Sequence, residues 1–280
     1  MTRTIQWFPG HMAKARNQVQ EKLKFVDFVI EVVDARLPLS SRNPMLDKII
    51  GDKPRLIILN KSDLAENTNE WLEYFGHALS TNAKDPITTK RILKAAKELL
   101  SEKIAKNSER GIVNTVLRTM VIGIPNSGKS TLLNTLAGKA SAKTGNKAGV
   151  TRSQQWIRSN KELEIIDTPG ILWPKFEDQT VGLKLALTGA IKDDIYPQDD
   201  VCIYGLNYFA ENHPDRLEKI YGLAPGDSDS IPDYIVSLTS KFGYRDAYER
   251  FYTRFITDVR NGKLGKFCLD RVIEDEVEDN

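Results

Sequence analysis

The sequence predicts an α/β fold, a mostly parallel sheet covered by helices on both faces, followed by a separate all-helical domain. Three observations carry that expectation. β-Branched apolar runs alternate with helical patterns as far as Trp173, a glycine-containing loop, GIPNSGKS, joins an apolar run to a helical one, and from Val181 onward only helical periodicity remains.

Composition agrees with a packed core: 280 residues, 40% hydrophobic and 28% charged, are globular in character. A formal net charge of +2 means that any nucleic-acid surface must come from local clustering of Lys and Arg. Cys202 and Cys268 are too few for a disulfide framework or a zinc site, which fits a reducing compartment. The most apolar early run, FVDFVIEVVDA, is interrupted by Asp27 and Glu31 and is too short to span a bilayer. With no signal-peptide pattern either, the expectation is a cytoplasmic protein, monomeric in solution and without a membrane partner.

The elements follow in order. Residues 11–24, HMAKARNQVQEKLK, read as a basic amphipathic helix, and FVDFVIEVVDA as a buried parallel strand. RLPLSSRNP is turn chemistry, MLDKII a short helix and RLIILN a second buried strand. A helix near NEWLEYFG, a short strand near HALSTN and one long helix, TTKRILKAAKELLSEKIAK, come next. VLRTMVIGIP is a strand, GKSTLLNTLAGK a helix, and SQQWIRS and LEIIDTPG resume the β pattern. The helical domain is read in VGLKLALTGAI, VCIYGLNYFAEN, IPDYIVSLTSKFG and YRDAYERFYTRFITDVRNG, punctuated by Pro and Gly. The predicted boundaries are 1–178 for the α/β domain, 179–273 for the helical domain and 274–280 for an acidic tail. Within 241–271, basic residues exceed acidic ones and interleave with Phe242, Tyr244, Tyr248, Phe251, Tyr252 and Phe255.

GIPNSGKS, Gly123 to Ser130, fits the G-x-x-x-x-G-K-[ST] phosphate loop and lies where its physics requires, between a strand and a helix. Backbone N–H groups of such a loop point at an anionic phosphate, and the helix N-terminus adds its positive end. Asn126, Ser127, Gly128, Lys129, Ser130 and Thr131 are therefore the expected phosphate-binding residues, with Lys129 between the β and γ phosphates and the Ser130 hydroxyl on Mg²⁺. DTPG places Asp167 for Mg²⁺ and Gly170 for the γ phosphate, and Thr151, between the two motifs, fits a switch-loop ligand to phosphate and metal.

NKSD, Asn60 to Asp63, chooses the base. A carboxylate at Asp63 accepts from the ring N–H and the exocyclic amine of guanine, a donor pair that adenine lacks. Asn60 either meets the guanine edge or braces the phosphate loop, and the Lys61 stem packs along the base. The bound nucleotides are thus GTP and GDP. In Ras-like proteins the N-K-x-D segment follows the phosphate loop, whereas here it precedes it, so the predicted fold is a circularly permuted Ras-like P-loop GTPase domain. The sheet, not the chain order, positions the loops, which makes the rearrangement tolerable.

That permuted order, together with WFPGHM, VVDARLPLSSRNP, NKSD, GIPNSGKS, DTPGIL and the aromatic, basic C-terminal helices, resembles the RbgA (YlqF) family of ribosome biogenesis GTPases over nearly the whole chain. The resemblance implies a GTPase of late large (50S) subunit assembly, stimulated by that subunit, with an ANTAR-like C-terminal domain that binds rRNA. After Gly170 comes Ile171, where Ras-like enzymes have a Gln that orients the attacking water, and an aliphatic side chain cannot do so. The family resemblance names His11 as the catalytic substitute; the other reading has WFPGHM packing its aromatics on the sheet or touching rRNA. Asn126 resembles the asparagine of potassium-activated GTPases that helps hold K⁺, a plain turn-former being the alternative. Asp34, Arg36, Ser41, Arg42 and Asn43 are turn residues in part, with nucleotide or RNA contact open for Arg36 and Arg42. Two rival classes stand beside the GTPase: an RNA-binding scaffold that GTP merely stabilises, and a P-loop small-molecule kinase, which leaves NKSD without a purpose.

Overall fold

A computed structural model describes residues 17–112, 115–138, 156–159, 161–167, 176 and 178–272. They fall into two compact units: a sheet unit within Phe8–Trp173, which the chain rejoins at Asp270, and a helical unit within Pro174–Leu269.

Six strands are described in the sheet unit: β1 (Phe28–Asp34), β2 (Arg55–Asn60), β3 (Ala78–Thr81), β4 (Leu117–Ile122), β5 (Trp156–Arg158) and β6 (Leu163–Asp167). Their spatial order is β3-β2-β1-β4-β6-β5, with every neighbouring pair parallel except β5 and β6. The exception has a simple cause. Residues 159–162 are too few for a crossover, so the chain can only turn back antiparallel. β1 lies inside the sheet and all seven of its residues are buried, as a strand covered on both faces requires. Glu31 is the one charged residue along its middle, and it accepts from Arg55 Nη1 at 2.9 Å and Arg42 Nε at 3.3 Å.

The covering helices are α1 (Pro44–Ile50), α2 (Thr68–Phe75), α3 (Ile87–Leu99), α4 (Ser101–Glu109) and α5 (Lys129–Ala137). α1 starts with proline in its first turn, and the Asn43 side chain accepts from Met45 N–H at 3.0 Å. Ile92, Ala96 and Leu100 join Leu56 and Ile58 in the same core cluster as Leu132, Leu133 and Leu136 of α5. The single long helix expected from residue 88 is two helices. Leu100 leaves helical geometry at φ −110°, ψ 22° while its side chain stays buried, so the apolar periodicity runs on through the break.

In the helical unit, α6 (Gln179–Leu187), α7 (Gln198–Asn212), α8 (Pro214–Tyr221), α9 (Ile231–Lys241) and α10 (Tyr248–Arg260) surround Leu185, Leu206, Phe209, Leu217, Tyr221, Leu238, Phe251 and Phe255. Arg260 ties two ends of this unit together, donating to the carbonyls of Ala186 at 2.7 Å and Leu187 at 3.2 Å and to the Asp193 carboxylate at 2.8 Å. It supplies positive charge where α6 ends, the favourable end of the helix dipole. α10 begins later than its sequence pattern, because Arg245 takes a left-handed turn at φ 53°. No helix among the described residues is long and apolar enough to cross a membrane.

Candidate nucleotide-binding site

The parallel strands deliver three sequence motifs to one end of the sheet, the carboxyl end, where open α/β sheets hold their ligands. Gly123–Ser130 follows β4, Asn60–Asp63 follows β2, and Asp167 closes β6 with its backbone paired to Val121.

The phosphate loop is shaped by two glycines. Gly123 has φ 144° and a Cβ there would stand 2.4 Å from the Val32 carbonyl oxygen; Gly128 has φ 97° and its Cβ would stand 2.0 Å from Asn60 Nδ2. Neither position admits a side chain without moving its neighbour. Gly128 is also the N-cap of α5 and has no side chain to cap it, and a helix N-terminus is the end that favours an anion. Asn126 is exposed at φ 57° and adds to the concave turn. Lys129 folds back across the loop, 7% exposed, and donates from Nζ to the Ile124 carbonyl at 2.6 Å. Ser130 and Thr131 are exposed on the first turn of α5. The Ser127 hydroxyl is buried and has no hydrogen-bond partner among the described residues.

Of the two parts expected of Asn60, the bracing contact is the one its side chain makes here. Its Nδ2 donates to the Ser127 carbonyl at 2.8 Å and its Oδ1 accepts from Ala83 N–H at 2.9 Å. The amide therefore braces the phosphate loop on one side and the segment after β3 on the other, with 3% of the residue exposed. Asp63 is exposed, in a short 3-10 turn, Ser62–Leu64. Lys61 is left-handed, φ 60°, and its ammonium donates to Asp34 Oδ2 at 2.8 Å.

Asp34 is the residue whose role the sequence left open. Its carboxylate accepts from Arg36 Nε at 3.0 Å and Nη2 at 2.8 Å as well as from Lys61, and its own N–H donates to Ser41 Oγ at 3.0 Å. Burial alone would raise its pKa, but the Arg36 guanidinium and the Lys61 ammonium outweigh burial and hold it well below the usual carboxylate range. Arg36, 1% exposed, is thus an internal strut, and Arg42 is bound to Glu31 and Asp47. At the far side of the same turn Asp270 accepts from Leu39 N–H at 2.8 Å, Ser40 N–H at 2.7 Å and Ser40 Oγ at 2.6 Å. Nothing in the local sequence around Asp270 marks that contact.

His11, Thr151, Gly170 and Ile171 lie outside the described residues, as does the side chain of Asp167. No cluster of three or more His, Cys, Asp or Glu that could hold a metal occurs among the described residues. An exposed Ser130 at the end of the loop, and a strand that ends in Asp167, suit a cation held mainly by a polyanionic ligand and water.

The aromatic and basic C-terminal pattern divides. Phe251 and Phe255 are fully buried and belong to the core of the helical unit, where each contributes about 1.5–3 kcal/mol. Arg254 sits 3.9 Å from the Phe242 ring centroid, donates to Tyr244 Oη at 3.2 Å and approaches Asp258 at 3.8 Å. Lys263 pairs with buried Asp258 at 2.6 Å. Arg250 is exposed, over Tyr244 at 4.6 Å, and Arg245, Lys266 and Arg271 are exposed too.

The family model described as "50S ribosome-binding GTPase" matches residues 118–220. A Bacillus cereus protein named ribosome biogenesis GTPase A is 50% identical, the alignment covering 98% of this chain and 97% of that protein. Among solved structures, a GDP-bound YlqF is 26% identical with a TM-score of 0.66, covering 91% of this chain and 99% of that one. GNP-bound YlqF from T. maritima is 25% identical with a TM-score of 0.65, covering 92% and 98%.

Proposed function

Since the chain belongs to the circularly permuted ribosome biogenesis GTPase A (YlqF) family, we propose that it binds and hydrolyses GTP as a switch in late maturation of the large ribosomal subunit, contacting rRNA through its helical unit. The observation that carries this reading is the Asn60 amide, which joins the base-reading segment to the phosphate loop across a separation of 67 residues. A kinase would need the phosphate loop but not that brace to an N-K-x-D segment.

The residues divide the work. Amides of the loop and the first turn of α5 receive the phosphates, and Lys129, once released from the Ile124 carbonyl, neutralises the β and γ groups. Asp63 accepts from the guanine edge. Ser130, Thr151 and Asp167 would hold Mg²⁺, which would supply charge neutralisation to the phosphates when bound. Asn126 is the residue to hold K⁺ beside them. With Ile171 unable to orient water, His11 takes that part, and docking on the subunit is what brings it there. Exposed Arg245, Arg250 and Lys266 are cations of the helical unit open to RNA phosphates.

The test is multiple-turnover phosphate release from GTP and ATP, with and without large subunits. Turnover of GTP that rises with subunits is expected. Equal use of ATP would overturn the base assignment, and tight GTP binding with no release under either condition would reduce the protein to a nucleotide-stabilised scaffold.

A further inference from the structure

Asp34 ends β1 directly opposite Asn60 in the parallel register, so the strand pairing places a carboxylate beside the first residue of NKSD. Arg36 alone gives that buried carboxylate a two-pronged partner through Nε and Nη2. Lys61 is a second cation on the same group, reaching it from a left-handed backbone and with its side chain one quarter exposed. Charge balance does not call for it, since one guanidinium already neutralises one carboxylate. What the second contact does is fix the far end of a long, otherwise mobile side chain, two residues before Asp63.

We infer that Asp34 is a positioning residue for base recognition: by holding the Lys61 ammonium it sets the four-carbon stem as a standing wall for the purine ring that Asp63 reads. The inference rests on the guanine reading proposed above. The turn Asp34–Ser41 is built to keep the carboxylate in place, through Arg36 and through Ser41 Oγ, which accepts from Asp34 N–H. A wall that contacts the ring face is blind to the exocyclic amine. Its loss therefore weakens GTP and ITP alike, whereas damage to the Asp63 carboxylate falls harder on GTP.

The experiment is a double-mutant cycle read by nucleotide titration: parent, Asp34→Asn, Lys61→Met and the double variant, each against GTP, ITP and ATP, with thermal melting of every variant. Each single variant is expected to lose about tenfold in GTP affinity, the scale of ordering one rotamer-rich side chain on binding. The double variant should lose no more than either single one, and ITP should fall by the same factor as GTP. Losses that multiply, or parent-like affinity in Lys61→Met, would overturn the inference. If Asp34→Asn fails to fold because Arg36 is left buried beside a neutral amide, Lys61→Met decides alone. A parent that shows no preference for GTP over ATP would sink the guanine reading itself, a separate failure.

Discussion

Replacing Asn60 removes a side chain whose hydrogen bond spans from the base-reading segment to the phosphate loop. In Asn60→Ala the Ser127 carbonyl loses a donor at 2.8 Å and the Ala83 N–H loses an acceptor at 2.9 Å, both in residues less than 5% exposed. A buried backbone group left without a partner costs about 1–3 kcal/mol, so the two together cost about 2–6 kcal/mol before any relaxation. At about 1.4 kcal/mol per tenfold, even the part that survives relaxation should weaken GTP binding by about 10-fold or more. Asn60→Asp separates the two bonds, because a carboxylate still accepts from Ala83 but sets an anionic oxygen against the Ser127 carbonyl. It should bind GTP no better than the alanine variant. Isothermal titration with GTP, paired with melting curves of the nucleotide-free proteins, measures both effects. Affinity within twofold of the parent in both variants would refute the brace.

Other expectations follow from the same contacts. Arg250→Glu should lower large-subunit affinity and flatten its salt dependence with little change in melting, since Arg250 is exposed; Arg254→Glu should also destabilise the helical unit by about 1–3 kcal/mol by losing Phe242, Tyr244 and Asp258. Equal melting of the two variants would show that Arg254 carries no structural share. Asp34 has a folded pKa below its unfolded value, so its contribution is fully present above the unfolded value of about 4 and is lost progressively as pH falls from there toward the depressed folded one. The parent's melting temperature should therefore drop more steeply below about pH 5 than that of Asp34→Asn, and parallel slopes would contradict this. His11→Ala should keep GTP affinity while single-turnover hydrolysis on saturating subunits slows by about 100-fold, and equal rates would leave WFPGHM as an anchor or rRNA contact.

The phosphate loop was legible in the sequence because its geometry is local: two glycines, a lysine and a serine at fixed spacing make the turn wherever they follow a strand. Asp34 was not, because its pairing with Lys61 comes from the register of β1 on β2, and no local pattern states which strands are neighbours. The same holds for Asp270, whose partners are more than two hundred residues away in the chain. α8 did carry a signal that the sequence reading passed over, Pro214 in the first turn and Gly222 left-handed at φ 70° after the last. Phe251 and Phe255, spaced four apart on α10, form a core stripe, so of the interleaved basic and aromatic residues of this segment these two face the interior.

The strand order also fixes when a nascent chain can first grip its ligand. β1, β2 and β3 lie side by side in the order β3-β2-β1 and are complete by Thr81, whereas the phosphate loop is complete only at Ser130. At about 5–20 residues per second, translation leaves a gap of about 2–10 s in which the base-reading edge exists and the phosphate grip does not. A Ras-like chain in the usual order emerges the other way round, phosphate grip first. Here nucleotide cannot serve as an early template; it arrives as a late clasp, closing on a half-sheet that must already hold itself together.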